Sequence, residues 1–523
     1  MISYLIINGA VLDGSGCASA HANIGIEGDR IVHIGPETMP AAHVIDATGM
    51  TVCPGFIDTH THSEFTLMAD GRAQGKLAQG VTTEINGNCG ISAAPLLGEA
   101  ASRREADQEE FGVTERWSCF DDYFAYLSAK GLGVNFATLC GQGNIRASVM
   151  GYRDEAPTDA EMSRMKELMA EAMRAGARGL TTGLIYPPGV YSSTEEIIEL
   201  ARVAVSLDPT AVYATHMRSE GDGLIEAVEE TLRIGREAGI AVHISHIKTS
   251  GEANWGKIDR LISMVEGARA SGMRVTCDRY PYIASGTDLD TIIPAWMYEG
   301  GAQEELKRLR DPEIRGKIAS GLRARSEKYW KGLYLSSVSR QENKWMEGEN
   351  LYDIAAGLGR EPADAALDII ISEETRAAAI FFSMCEENLR RFLSLPYAMI
   401  GTDSSVRSFS GKTFWGKPHP RGFGSFPRFI GRYVRDEGLA ALPDAVRRVT
   451  SLPAAVFGIR ERGLIRKGYF ADLVVFDYAR MEDRATFREP FQTPAGVRQV
   501  FVNGEPAYRD GVFSEKLNGR VLR

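Results

Sequence analysis

The chain has 523 residues, 44% of them hydrophobic and 24% charged, and 69 acidic against 59 basic side chains leave a net charge of −10. That length suits several domains or one large barrel with additions, around a sizeable core. No run of Lys and Arg is long enough to track phosphates, which argues against nucleic acid, and no stretch of about 18 uninterrupted apolar residues argues for a membrane span.

In chain order, the N-terminal MISYLIINGAVLDGSG has no basic residue ahead of its apolar stretch and is broken by Asn8 and Gly9. It reads as a strand and turn rather than a signal peptide. The seven cysteines are scattered without a CxxC pair, so a reducing compartment, the cytoplasm, is expected. YLIING, ANIGIEGDRIVHIG and HVIDATGMTV alternate like short hairpins, and the far end repeats the style in ADLVVFD and VRQVFVNGEPAYRDGVF. Neither end covers its own apolar face, so residues 1–53 plus 463–523 are expected to form one small β-sandwich domain.

Residues 54–462 alternate differently. TVCPGFIDTHTH, GVTTEINGNCG, VNFATLCGQG, ARGLTTGLIY, AVYATHMR, AVHISHIK, RVTCDRYPY and YAMIGTD are strand-like, with helix-like sequence such as DAEMSRMKELMAEAMRAG between them. Eight such units predict an α/β fold, a (β/α)8 TIM-like barrel. AAIFFSM (378–384) competes for the seventh place, and residues from about 285 to 395 read as an inserted lid subdomain.

His60 and His62 follow the first strand. Two residues apart on a strand, both imidazoles would face the barrel interior at the carboxyl end, where barrel enzymes build their sites. Cys89 ends the second unit, His216 the fifth, His246 the sixth and Asp403 the eighth. Imidazole, thiolate and carboxylate gathered at one rim suit zinc. His21, His33 and His43 fall in the terminal domain, and His243 is placed on the strand face opposite His246, outside the site.

PGFIDTHTHSE, GVTTEINGNCGISAAP, GLTTGLIYPPGVY, YATHMRSEGDGLIEAV, ISHIKTSGEANWGK, HPRGFGSFPRFIGRYVR and TSLPAAVFGI together resemble the N-acyl-D-amino-acid deacylases (D-aminoacylases) of the amidohydrolase superfamily, over nearly the whole chain. In most other branches a carboxylated lysine bridges two metals. GLTTGLIY has none, and this family uses the cysteine that matches Cys89. The resemblance implies one tight zinc on Cys89, His216 and His246, with a second, weaker position near His60 and His62. It also implies an α-carboxylate clamp of Tyr186, Lys248 and Arg421. Where relatives carry GHG, this chain has CGQGNIR, and Gln142 is expected in the substrate pocket, polarising the scissile carbonyl without histidine's capacity for a proton.

The expected chemistry is hydrolysis of a linear N-acyl-D-amino acid, a small-molecule substrate, with Asp403 as general base and then general acid. From Tyr280 to Leu306 there is no Lys or Arg, which favours a neutral or hydrophobic D side chain unless a cation arrives from 310–345. The alternatives are a cyclic-amide hydrolase of the dihydroorotase or hydantoinase kind, which should show the bridging lysine, and an inactive scaffold, which should have lost ligands. The acyl group and any homo-oligomeric assembly are left open.

Overall fold

The computed structural model describes residues 2–523, with the backbone alone at 106 and 107. GLTTG (Gly179–Gly183), VYATH (Val212–His216) and AVHI (Ala241–Ile244) are buried along their whole length. Strands covered on both faces read this way, without polar alternation. Phe56–Asp58, Val81–Asn86 and Asn135–Thr138 pair side by side, and Cys140–Gly141 continues the last of these after a break at Leu139. From there a second run passes through Gly179–Gly183, Val212–His216, Ala241–Ile244, Val275–Arg279 and Ala398–Ile400, and every pairing is parallel.

The run returns on itself. The Thr59 hydroxyl donates to Ile400 O at 3.1 Å, and Thr61 bridges Ser404. This parallel ring is an α/β arrangement consistent with a TIM-like barrel. Ile57, Ile85, Ala214 and Met399, drawn from four of its strands, share one apolar cluster with Leu139, Phe457 and Ile459. Helices cover the outside. Asp159–Ala175 begins at a capping box between Thr158 and Glu161, ends at Gly176 in the left-handed region (φ 115°), and buries Met165, Leu168, Met169 and Ala172.

Both ends of the chain contribute to a second body. Ile2–Ile7, Asn23–Glu27, Arg30–Gly35 and Ala41–Asp46 form one sheet, and Thr51–Pro54 pairs antiparallel with Leu473–Phe476 in another. Ile24, Ile26 and Val52 from the first end meet Leu473, Val475 and Phe501 from the last in one buried cluster. Each end supplies half of a core that the other half closes.

AAIFFSM lies outside the ring. Ala378–Phe381 is the central strand of an antiparallel sheet with Ser285–Asp288 and Leu333–Ser337. The seventh ring strand is therefore Val275–Arg279. The 285–395 segment has an apolar cluster of its own around Leu289, Trp330, Leu335, Ile354 and Leu367. No helix among the described residues is long and apolar enough to cross a membrane.

Candidate metal centre

The first ring strand stops at Asp58, so His60 and His62 lie in the turn beyond it rather than on one strand face. The expected strand spacing does not hold, yet both rings reach the same place. His60 Nε2 lies 3.3 Å from Cys89 Sγ and 3.5 Å from Asp403 Oδ1, and His62 Nε2 lies 3.1 Å from Asp403 Oδ1. His216 Nδ1 and His246 Nε2 stand 3.7 and 3.4 Å from the same sulfur. Cys89, His246 and Asp403 hold left-handed backbone conformations, with φ of 53°, 36° and 49°. Such angles are costly away from glycine and cluster at sites that need a side chain aimed out of the regular path.

The donor set fits zinc. With Zn–S of about 2.3 Å and Zn–N of about 2.05 Å, tetrahedral bonding separates sulfur from nitrogen by about 3.6 Å. The three sulfur–imidazole separations, 3.3 to 3.7 Å, bracket that value. One ligand atom each from His60, Cys89, His246 and Asp403 lies within 4.8 Å of every other.

Electrostatics agree with the geometry. Burial raises the Cys89 pKa, but the His60 and His246 rings outweigh it and hold the thiol well below its usual range. Burial likewise opposes ionisation of Asp403, while Arg421, His60 and His62 hold it well below the carboxylate range. Burial lowers the His62 pKa, yet Asp403 and Cys89 push it up to about 9. Two buried anions that draw protons onto neighbouring rings will also draw a divalent cation.

A surrounding layer went unread in the sequence. Asp278 Oδ2 lies 3.2 Å from His60 Nδ1 and 2.7 Å from His243 Nε2, and Asp278 Oδ1 accepts from His246 N at 2.7 Å. His243, set outside the site by its strand position, is thus one carboxylate away from His60. Glu220 Oε1 lies 2.9 Å from His246 Nδ1, and Glu220 Oε2 lies 3.6 Å from His216 Nε2. Carboxylates on the far nitrogens of ligating histidines fix ring orientation and raise basicity. The sequence signal for both was modest: an Asp ending a strand in VTCDR, and a Glu four residues after His216.

Lys248, Arg421 and Tyr186 all line one cavity of about 960 Å³ that also touches His62, Cys89, His216, His246 and Asp403. Lys248 donates to Glu220 and lies 2.7 Å from His246 Nδ1. Arg421 donates to Asp403 Oδ2 at 2.8 Å and to Gly286 O at 3.1 Å. The Tyr186 hydroxyl meets Thr287 Oγ1 at 3.0 Å, and its ring stands edge-on to His216. Gln142 departs from expectation. Its amide donates to Ser192 Oγ at 2.6 Å and Glu196 Oε1 at 2.8 Å, and it is not among the residues lining the cavity. The helix starting at Gln142 turns the side chain toward the Ser192–Glu196 segment, so the pocket role expected for it does not fit this placement.

A sequence profile of the amidohydrolase family matches residues 43–508. The chain belongs to that family. It is 38% identical over 521 residues to a D-aminoacylase of Alcaligenes xylosoxydans xylosoxydans, covering 99% of this chain and 97% of that protein. Among solved structures, the N-acyl-D-glutamate deacylase of Bordetella bronchiseptica, complexed with zinc and a phosphonate mimic of the tetrahedral intermediate, superposes with a TM-score of 0.84. Identity there is 34%, with 100% of this chain and 99% of that one covered. A D-hydantoinase shares the fold alone, at 14% identity and a TM-score of 0.57, covering 100% of this chain and 98% of that one.

Proposed function

We propose that the protein is a zinc-dependent N-acyl-D-amino-acid deacylase that cuts a linear amide into a carboxylate and a free D-amino acid. In this reading the parallel ring is a (β/α)8 barrel, the terminal sheets are a β-sandwich domain, and residues 285–395 are a lid. Cys89, His216 and His246 hold one zinc tightly, and His60 and His62 offer a second, weaker position. The metal, when bound, supplies Lewis acidity toward water and the scissile carbonyl.

Asp403 takes a proton from the attacking water and returns it to the leaving nitrogen. Arg421, His60 and His62 keep its carboxyl ionised, the form that can accept a proton, at a cost to its basicity. Arg421 reaches into the cavity beside it, and the buried Arg421 Nε has no hydrogen-bond partner among the described residues. A substrate α-carboxylate would meet the guanidinium from the cavity, with Lys248 and Tyr186 completing the clamp. The D configuration follows the D-aminoacylase and the N-acyl-D-glutamate deacylase, relatives that match the whole chain at 38% and 34% identity.

Two cations do arrive at the cavity from the insertion, Arg325 and Lys328. Both are engaged: Lys328 donates to Glu252 at 2.6 Å, and Arg325 lies over the Tyr329 ring and donates to Ile292 O. Ile292, Leu333, Phe381 and Phe382 line the same cavity, which favours a neutral or hydrophobic D side chain. One observation carries the proposal: a buried thiol within 3.7 Å of three imidazoles, with a carboxylate and an arginine at the same rim. The test is zinc content together with turnover of N-acetyl-D-methionine, its L-enantiomer and a hydantoin. Hydrolysis of the D-enantiomer with bound zinc is expected. Turnover of the hydantoin alone would replace this reading with the cyclic-amide one.

A further inference from the structure

Behind the metal-facing rim, a single buried ammonium grips the turn that presents Asp403. Lys76 lies on the short helix Gln74–Leu77 and is fully buried. Its Nζ donates to Thr402 Oγ1 at 2.7 Å and to Ser404 O at 3.1 Å, the residues immediately before and after Asp403. It also donates to Asp58 Oδ2 at 2.7 Å and lies 3.0 Å from Glu84 Oε1. Asp58 completes the grip: it accepts from Thr402 Oγ1 at 2.7 Å and from Thr402 N at 2.8 Å, while His60 N approaches its Oδ1 at 3.3 Å. Asp403 N donates to His60 O at 2.8 Å. The HxH turn and the turn after the eighth strand are thus tied to one buried ion pair.

A space-filling role alone does not account for this pair. Charges with no solvent exposure carry a desolvation cost that apolar side chains of the same volume avoid. The atoms the ammonium binds are also specific. It takes a hydroxyl and a carbonyl from the two neighbours of a residue whose own backbone sits at φ 49°, a conformation that persists only where surrounding contacts hold it. We infer that Lys76, acting with Asp58, is a positioning residue for Asp403, locking the left-handed turn so that the carboxylate stays against His60, His62 and Arg421.

The inference rests on the deacylase reading where it assigns the proton transfer to Asp403, so its test includes a structural readout independent of activity. Lys76→Met strands Asp58 as an unpaired buried charge and is expected to lower Tm. Lys76→Met combined with Asp58→Asn removes both charges of the pair and leaves Glu84, whose burial raises its carboxyl toward the neutral form once the ammonium is gone, so much of that Tm is expected to recover. If the pair only stabilises the fold, kcat recovers with Tm. If it positions Asp403, the double variant keeps its zinc and its KM but loses kcat by about 10²-fold, the cost of misplacing a reacting group by about 1 Å. Thr402→Val, which removes the hydroxyl that accepts from Lys76 and donates to Asp58 but no charge, is expected to lose kcat by about 3- to 10-fold at unchanged KM. A crystal structure of the double variant should show Asp403 Oδ1 out of hydrogen-bond range of His62 Nε2. Recovery of kcat to within about twofold of the parent in the double variant, or an unmoved Asp403 in its crystal structure, overturns the inference. If the parent enzyme itself fails to cut N-acyl-D-amino acids, the deacylase reading falls, while the Asp403 position in the variant still decides the anchoring.

Discussion

The two walls of the large cavity are built on opposite terms. On the ring side Cys89, His246, Lys248 and Arg421 are almost fully enclosed and Asp403 is partly exposed, and each meets an oppositely charged or hydrogen-bonding neighbour. On the insertion side Ile292, Leu333, Phe381 and Phe382 present apolar surface, and the cations among them are tied to Glu252 and to the Tyr329 ring. The ring wall has little freedom because every buried charge there depends on another. The 285–395 segment packs around an apolar cluster of its own and touches the ring wall at Gly286 and Thr287, which meet Arg421 and Tyr186. In the proposed reading the ring wall cleaves the bond and the 285–395 wall selects the substituent.

The most direct way to break that division is to disable the ring wall. Asp403→Asn should lower kcat by about 10³-fold or more while zinc content stays largely intact, measured by metal analysis beside steady-state kinetics. Near-normal turnover would take Asp403 out of the chemistry. Arg421→Met should lower kcat/KM by about 10- to 100-fold for N-acyl amino acids and much less for amides without a carboxylate, as expected for a charge-assisted contact. Equal losses on both substrate types would count against the clamp.

The insertion should respond through stability and KM. Burial, reinforced by Asp288 and opposed by Arg103 and Arg308, pushes the Glu305 carboxyl from 4.5 up to about 7. Because the folded value lies above the unfolded one, the folded state binds the proton more tightly. The resulting stability is complete below about pH 4.5 and is lost as pH rises through 7. Glu305→Gln should therefore gain on the order of 1 to 3 kcal/mol over the parent between pH 5 and 8, read from denaturant melts across that range. An identical pH dependence in parent and variant would refute it. The smallest effect is expected from Phe382→Ala: KM about 3-fold higher for substrates with a large apolar substituent, with kcat unchanged. A fall in kcat instead would mean that the two walls are coupled.

The candidate site was legible to the extent that it depends on strand ends. His60, Cys89, His216, His246 and Asp403 each follow a short apolar run, and parallel strands in one ring send all those ends to the same rim. The register of the first histidine pair was not legible, because the strand stops at Asp58 and the turn geometry does the rest. The surroundings of Gln142 and His243 were not legible for a related reason. The first is turned by its helix toward Glu196, and the second meets a carboxylate on the next strand, which local alternation does not reveal.

The sequence by itself determined the family, the strand–helix alternation and the identity of the metal-competent donors, since these depend on residue type and local order. Only the tertiary structure decided which carboxylate backs which imidazole, and that Lys76 reaches both neighbours of Asp403. Those partners lie far apart along the chain, His60 and Asp278 separated by 218 positions and Lys76 and Thr402 by 326. A buried charge is satisfied through space, so its partner is chosen by how the ring closes and not by what stands beside it in the sequence.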